Sequence, residues 1–200
     1  MVQTYRTALI NRPFMYIESK RIAELILQKL SFTEIEKKVL IDDLLQLPSL
    51  DRRKTILREI MLRLSYLDDN LLTYFTQTDG ETAKLLLAYG LLQADDLFFE
   101  FMREIYLEKI LLLDFTLEKK EISAFFERKA EQSPKVAKWA TITKIRLVNG
   151  YMQTLNEIGL VEEMGDTIIV KRAFMEPKVE AYLKKNGTQA VTEIILGELL

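Results

Sequence analysis

The chain has 200 residues, 48% of them hydrophobic and 29% charged, with only 7 Gly and 4 Pro; this excludes a disordered or low-complexity protein and leaves one large or two small helix-rich domains. It contains no Cys and no His, which removes disulfides, thiolate nucleophiles, Ser–His and Cys–His pairs and nearly all zinc, copper and haem ligation. A formal charge of −2 excludes a generally basic nucleic-acid coat, so any polyanionic partner must be met by a local patch.

The opening residues lack the basic region and apolar run of a signal peptide, and a cytoplasmic location is expected. No segment approaches the ~20 apolar residues that cross a bilayer. Even the stretch from Ile105 to Phe115 is interrupted by Glu108, Lys109 and Asp114, so no membrane partner is expected.

From Glu18 to Leu30, apolar residues at Ile22, Leu25, Ile26, Leu27 and Leu30 recur at helical spacing. Ser31 with Glu34 reads as the capping box of a second helix, which carries Ile35, Val39, Leu40, Leu44 and Leu45 and stops before Pro48. Ser49 or Asp51 caps a third helix with the apolar face Ile56, Ile60, Leu64 and Leu67. Its start and outer side are basic: Arg52, Arg53, Lys54, Arg58 and Arg63. Cations at a helix N-terminus oppose the macrodipole, so something besides helix stability is expected to have placed them.

Thr78-Asp79-Gly80-Glu81 reads as a turn and cap launching a short apolar helix, Thr82 to Tyr89, with Gly90 beyond its C-terminus. A longer helix from Asp95 to about Leu113 is apolar nearly all round, as a buried spine would be. Near Asp114 to Thr116 the texture changes, and a boundary is expected there, giving a helical bundle over 1–115 and a second domain over 116–200. The second domain reads as a helix from Leu117 to about Glu131, a start at Ser133-Pro134, a short helix, and a helix ended by Gly159. Two β-prone runs around Gly165-Asp166 then form a hairpin, and the tail holds short helices separated by Asn186-Gly187. Helix-turn-helix followed by a hairpin is the winged-helix order. The expected fold class is therefore mostly α, with one hairpin.

Between Glu127 and Arg146, six basic residues (Arg128, Lys129, Lys135, Lys138, Lys144 and Arg146) stand against two acidic ones, Glu127 and Glu131. Such cations neutralise phosphates, the dominant contribution to nucleic-acid affinity, and Thr141 and Thr143 add hydroxyl donors beside them. Lys171 and Arg172 at the end of the hairpin extend the footprint. A solvated helix surface accounts for the same charge run. Arg52, Arg53, Lys54 and Arg58 form a second basic patch with the same two explanations. Trp139, the one tryptophan, reads as a core anchor, with base stacking as the alternative.

Carboxylate pairs such as Asp42-Asp43 and Asp95-Asp96 do not converge on one ion, since neighbours on a helix point about 100° apart; no metal and no cofactor is expected. Phosphate-cradling glycine motifs and the nucleophile elbow are missing from the sequence. No enzymatic activity is expected.

Several short motifs occur in a shared order: Glu18-x-x-x-Ile22-Ala23-x-Leu25, Leu40-x-x-Asp43-Leu44-Leu45-Gln46, Arg58-Glu59-Ile60-x-x-Arg63-Leu64-x-x-Leu67, Trp139-x-x-x-Thr143 and Leu155-x-Glu157-x-Gly159-Leu160. In that order they resemble the BrxA family of the BREX (bacteriophage exclusion) phage-defence systems. The resemblance implies an all-helical accessory protein acting beside other BREX proteins, with a core like the antitermination protein NusB and a capacity to bind DNA. Double-stranded DNA, held by its phosphates with little sequence specificity, is the expected partner. A protein-interaction scaffold working through the apolar surface of the N-terminal helices, or a NusB-like RNA binder, are the alternatives.

Overall fold

The computed structural model describes residues 5–165 and 167–200, so Asp166, expected in the hairpin turn, lies outside the described residues. The fold is mostly helical, with one small antiparallel sheet among the described residues. In chain order, α1 (Ala8–Asn11) is followed by α2 (Tyr16–Leu27), α3 (Phe32–Leu40), α4 (Leu50–Leu64), α5 (Asp69–Gln77) and α6 (Gly80–Ala94). Then come α7 (Asp96–Phe101), a π-helical segment (Met102–Leu107), α8 (Glu108–Leu111), β1 (Thr116–Leu117), α9 (Lys119–Gln132), α10 (Pro134–Ala137) and α11 (Thr141–Ile158). Strands β2 (Val161–Met164) and β3 (Thr167–Val170) and helices α12 (Pro177–Asn186) and α13 (Gln189–Leu196) complete the chain.

The chain divides into two compact units, and neither edge falls at 115/116. One unit is Met15–Ala94; the other joins the N-terminal segment ending at Phe14 to Asp95–Leu200. A composition shift near Asp114 marks a change of element. It does not mark where packing separates.

Within Met15–Ala94, α6 packs on α4 and α5, and every residue from Leu85 to Leu92 is buried. Local chemistry sets the starts: Ser31 and Glu34 form the full capping box of α3, Ser49 caps α4, and Asp79 accepts from the N–H groups of Glu81 and Thr82 at 2.9 Å. Gly90 corrects the sequence reading, for α6 runs through it rather than ending before it. A Cβ there would stand 2.3 Å from the Arg63 carbonyl oxygen, so glycine serves close helix packing and not a C-cap. Helix α3 also ends earlier than expected, at Leu40, and the chain then turns through left-handed conformations at Asp43 and Gln46.

In the other unit, Tyr151 of α11 sits at the hub of an aromatic cluster. Its ring lies 5.0 Å from those of Phe98 and Phe101 and 5.5 Å from that of Phe126, while Phe101 meets Phe125 edge-on at 5.4 Å. Helix α1 lies on the same helix at Gly150, where a Cβ would stand 2.6 Å from the Leu9 carbonyl oxygen. The expected spine is a near-continuous helix from α7 through the π segment to α8, started by Asp95, whose carboxylate accepts from the Phe98 N–H at 3.1 Å. The sheet order is β1-β3-β2, so β1 adds a third strand to the expected hairpin, with Thr116 opposite Ile169 and Val161 opposite Val170.

Candidate nucleic-acid interface

Helices α9, α10 and α11 followed by β2 and β3 carry the larger basic patch. Pro134 at the first helical position starts α10, and Val136, fully buried, fixes it against α9, leaving Lys135 and Lys138 exposed on either side. Ala140, in an extended conformation, turns the chain into α11, and Gly159 ends that helix at φ +93°. Helix α11 is pinned by Leu147, Tyr151, Leu155 and Ile158, all buried.

The sequence-selected residues separate into three groups. Lys135, Lys138 and Arg146 are exposed and engage in no ion pair or hydrogen bond among the described residues, and Thr141 is exposed beside them. Lys144 and Thr143 are half-buried, and Lys144 lies on the helix side that leads to Leu147 and Tyr151. Lys171 and Arg172 follow β3, and both are engaged: Lys171 with Glu162 of β2, and Arg172 with Glu198 at 3.2 Å. Both pairs are about half-exposed, so each is worth at most ~1 kcal/mol and can exchange for a phosphate.

Two cations of the basic run are turned inward. Lys129 is 4% exposed and pairs with Glu100 at 2.6 Å and with Glu104, and Arg128 approaches Glu104 at 3.8 Å. Tyr5 donates to Glu100 at 2.8 Å, tying the N-terminal segment to the same cluster. Burial works to lower the Lys129 pKa, and hydrogen bonds to the two carboxylates overcome it, leaving the ammonium above its ordinary value. The charge count in sequence therefore overstated the surface patch. Trp139 is half-buried rather than a core anchor.

The second patch is not one patch. Arg53 donates to the carbonyl oxygens of Leu47 and Leu40 at 2.9 and 3.1 Å and pairs with Asp43 at 2.9 Å, clamping the loop between α3 and α4. Lys54 and Arg58, four residues apart on α4, share an exposed stripe, and Arg52 stands about 160° round the helix from Lys54.

Sequence reasoning missed the solvated face of α11. Ile142, Ile145, Arg146, Asn149, Gln153 and Asn156 are all exposed along it, opposite Tyr151. Helical spacing alone contains that signal; reading charge rather than face hid it. Among the described residues no group of three carboxylates lies close enough to hold a metal ion, and no helix is long and apolar enough to cross a membrane.

A model of the BrxA family matches residues 3–187, spanning both compact units and the whole basic surface. The chain belongs to the BrxA family. A relative from Bacillus cereus (strain H3081.97), named BREX protein BrxA, is 29% identical over 196 residues, covering 98% of each chain. A crystal structure of an uncharacterized protein from Magnetospirillum magneticum shares the fold, with a TM-score of 0.82 and 19% identity over 97% of this chain and 99% of that one. The BrxA match thus includes the α10–α11 turn, the hairpin and Lys171-Arg172 in one continuous span.

Proposed function

We propose that this BrxA family member is a non-enzymatic, cytoplasmic accessory protein of a BREX-type phage-defence system that binds double-stranded DNA through α10, α11 and the following hairpin. The observation that carries the reading is the set Lys135, Lys138 and Arg146, uncompensated cations on a helix-turn-helix that leads into the β2–β3 hairpin. Strand β1, the three helices α9, α10 and α11 and the β2–β3 hairpin follow in a winged-helix-like order, with α11 in the recognition position. Lys144, Thr141 and Thr143 flank these cations, and Lys171 and Arg172 join them when their surface pairs open. Phosphate contacts of this kind supply affinity and register. Other BREX proteins are the natural partners, in keeping with the name of the Bacillus cereus relative. Met15–Ala94 we read as the NusB-like core that the family resemblance implies.

Duplex binding by fluorescence anisotropy tests the reading. At ~100 mM salt, Lys135→Glu/Lys138→Glu is expected to bind at least about tenfold more weakly than wild type. Equal affinity removes the patch from the interface. RNA of the same sequence serves as competitor, and a preference for it points to the NusB-like alternative. A scaffold role is favoured by a separate observation: Leu111, Leu112, Leu113 and Phe115 are all exposed at the end of α8. Its sign is co-purification of a BREX protein that Leu112→Glu/Leu113→Glu abolishes.

A further inference from the structure

We infer that the solvated face of α11 reads bases in the major groove of B-form DNA, with Ile142 and Ile145 packing on thymine methyl groups and Arg146, Asn149 and Gln153 bonding purine edges. The inference rests on the duplex-binding reading above and extends it from phosphates to sequence.

Three observations point there. At 100° per residue, these five side chains fall within an arc of about 100°, directly opposite the buried Leu147, Tyr151 and Leu155. Arg146, Asn149 and Gln153 make no hydrogen bond or ion pair among the described residues, so their donors and acceptors are uncommitted. Ile142 and Ile145 are 56% and 50% exposed. Helix formation does not favour them there: β-branched residues are poorer helix formers than most polar ones, and on this face each leaves about half its apolar surface in water.

The set matches a duplex feature by feature. Arg pairs bidentately with guanine, Asn or Gln with adenine, and apolar side chains meet the thymine methyl. From Ile142 to Gln153 the helix rises about 16 Å, the length of about five base pairs. Charge complementarity excludes an acidic protein surface's opposite, a basic partner: from Thr141 to Asn156 the helix holds no acidic residue, and Lys135 and Lys138 stand unpaired just before it. The isoleucines also separate DNA from RNA. Uracil lacks the methyl they would meet, and the deep, narrow major groove of A-form RNA does not admit side chains.

The test begins with selection of bound sequences from a randomised duplex library, expected to enrich a motif of about five base pairs containing T. Replacing each motif thymine by deoxyuridine then removes one methyl and leaves charge and pairing intact. Wild type is expected to lose about fourfold per contacted methyl. Ile142→Ala/Ile145→Ala, which substitutes a better helix former at exposed sites, is expected to bind the two duplexes equally while keeping wild-type affinity for random duplex at low salt. Salt-dependent binding with no enriched motif and no response to deoxyuridine overturns the base-reading inference and leaves the phosphate reading standing. Failure to bind any duplex at low salt overturns both.

Discussion

Replacing Gly150 by alanine opposes two effects of known size. In a helix interior, alanine is favoured over glycine by about 1 kcal/mol, so on local grounds the change stabilises α11. The added Cβ, however, would stand 2.6 Å from the Leu9 carbonyl oxygen and 3.1 Å from its carbonyl carbon. Both are backbone atoms with no rotamer to yield, and ordinary contact begins near ~3.4 Å, so α1 must retreat by about 0.8 Å. Leu9, 1% exposed, then loses part of its packing. Overpacking of this kind costs about 1–3 kcal/mol, and a backbone contact belongs at the upper end. The net expectation is a loss of about 1–2 kcal/mol, or about 5–10 °C in Tm for a unit of this size. Thermal unfolding followed by circular dichroism measures it, with Gln153→Ala on the exposed face of the same helix as a control that shifts stability by less than about 0.5 kcal/mol. A Gly150→Ala protein that melts higher than wild type would refute the close approach of α1 and α11.

The remaining predictions concern buried charge, a loop clamp and alkaline pH. Lys129→Met removes the buried ammonium shared by Glu100 and Glu104 and is expected to cost about 3 kcal/mol by urea unfolding, at the low end for a buried pair because Glu104 is open to water on one side and keeps Arg128 nearby. Adding Glu100→Gln is expected to restore part of that loss. Arg53→Ala removes two donations to loop carbonyls and the pair with Asp43; about 1–3 kcal/mol of stability should go while duplex affinity stays unchanged, which separates Arg53 from the phosphate-binding residues. Tyr5, Tyr106 and Tyr151 all have pKa values raised above 10.0, burial being the largest cause in each. In the unfolded chain they ionise near the ordinary value and in the fold they do not, so stability present below pH 10 is lost as pH rises beyond it. Lys129, raised as well, adds to the loss on the same side. A tyrosinate absorbance titration should therefore show these three groups ionising together with loss of ellipticity; their ionisation in the intact fold would contradict the burial.

Features written in neighbouring residues were legible in the sequence. The Ser31–Glu34 box, the Ser49 cap, Pro134 at a helix start, Gly159 at a helix end and the β2–β3 hairpin each arise from chemistry between near neighbours in the chain, and the structure reproduces them. Gly90 was misread because its reason is distant in sequence: the partner that excludes a Cβ is the backbone of Arg63. The compact units were misplaced for a similar reason, since α1 joins the later helices by packing on α11. Charge was only half legible. Lys129 and Arg128 count as surface cations in a linear tally, and only the fold shows Glu100 and Glu104 taking them up. Lys171 and Glu162 sit nine positions apart and meet because β2 and β3 pair. The isoleucine and amide face of α11 is written in the helical period, which a linear tally of charge does not contain.

Duplex binding across a salt series tests the central claim most directly. Six cations, Lys135, Lys138, Lys144, Arg146, Lys171 and Arg172, bound the number of phosphates the surface can neutralise, so the slope of log K against log salt is expected between about −3 and −5. Lys135→Ala/Lys138→Ala should flatten it by about 2, one unit for each contact removed. A slope that the double substitution leaves unchanged would place the nucleic acid elsewhere on the protein, and binding that ignores salt would contradict a phosphate-reading surface altogether.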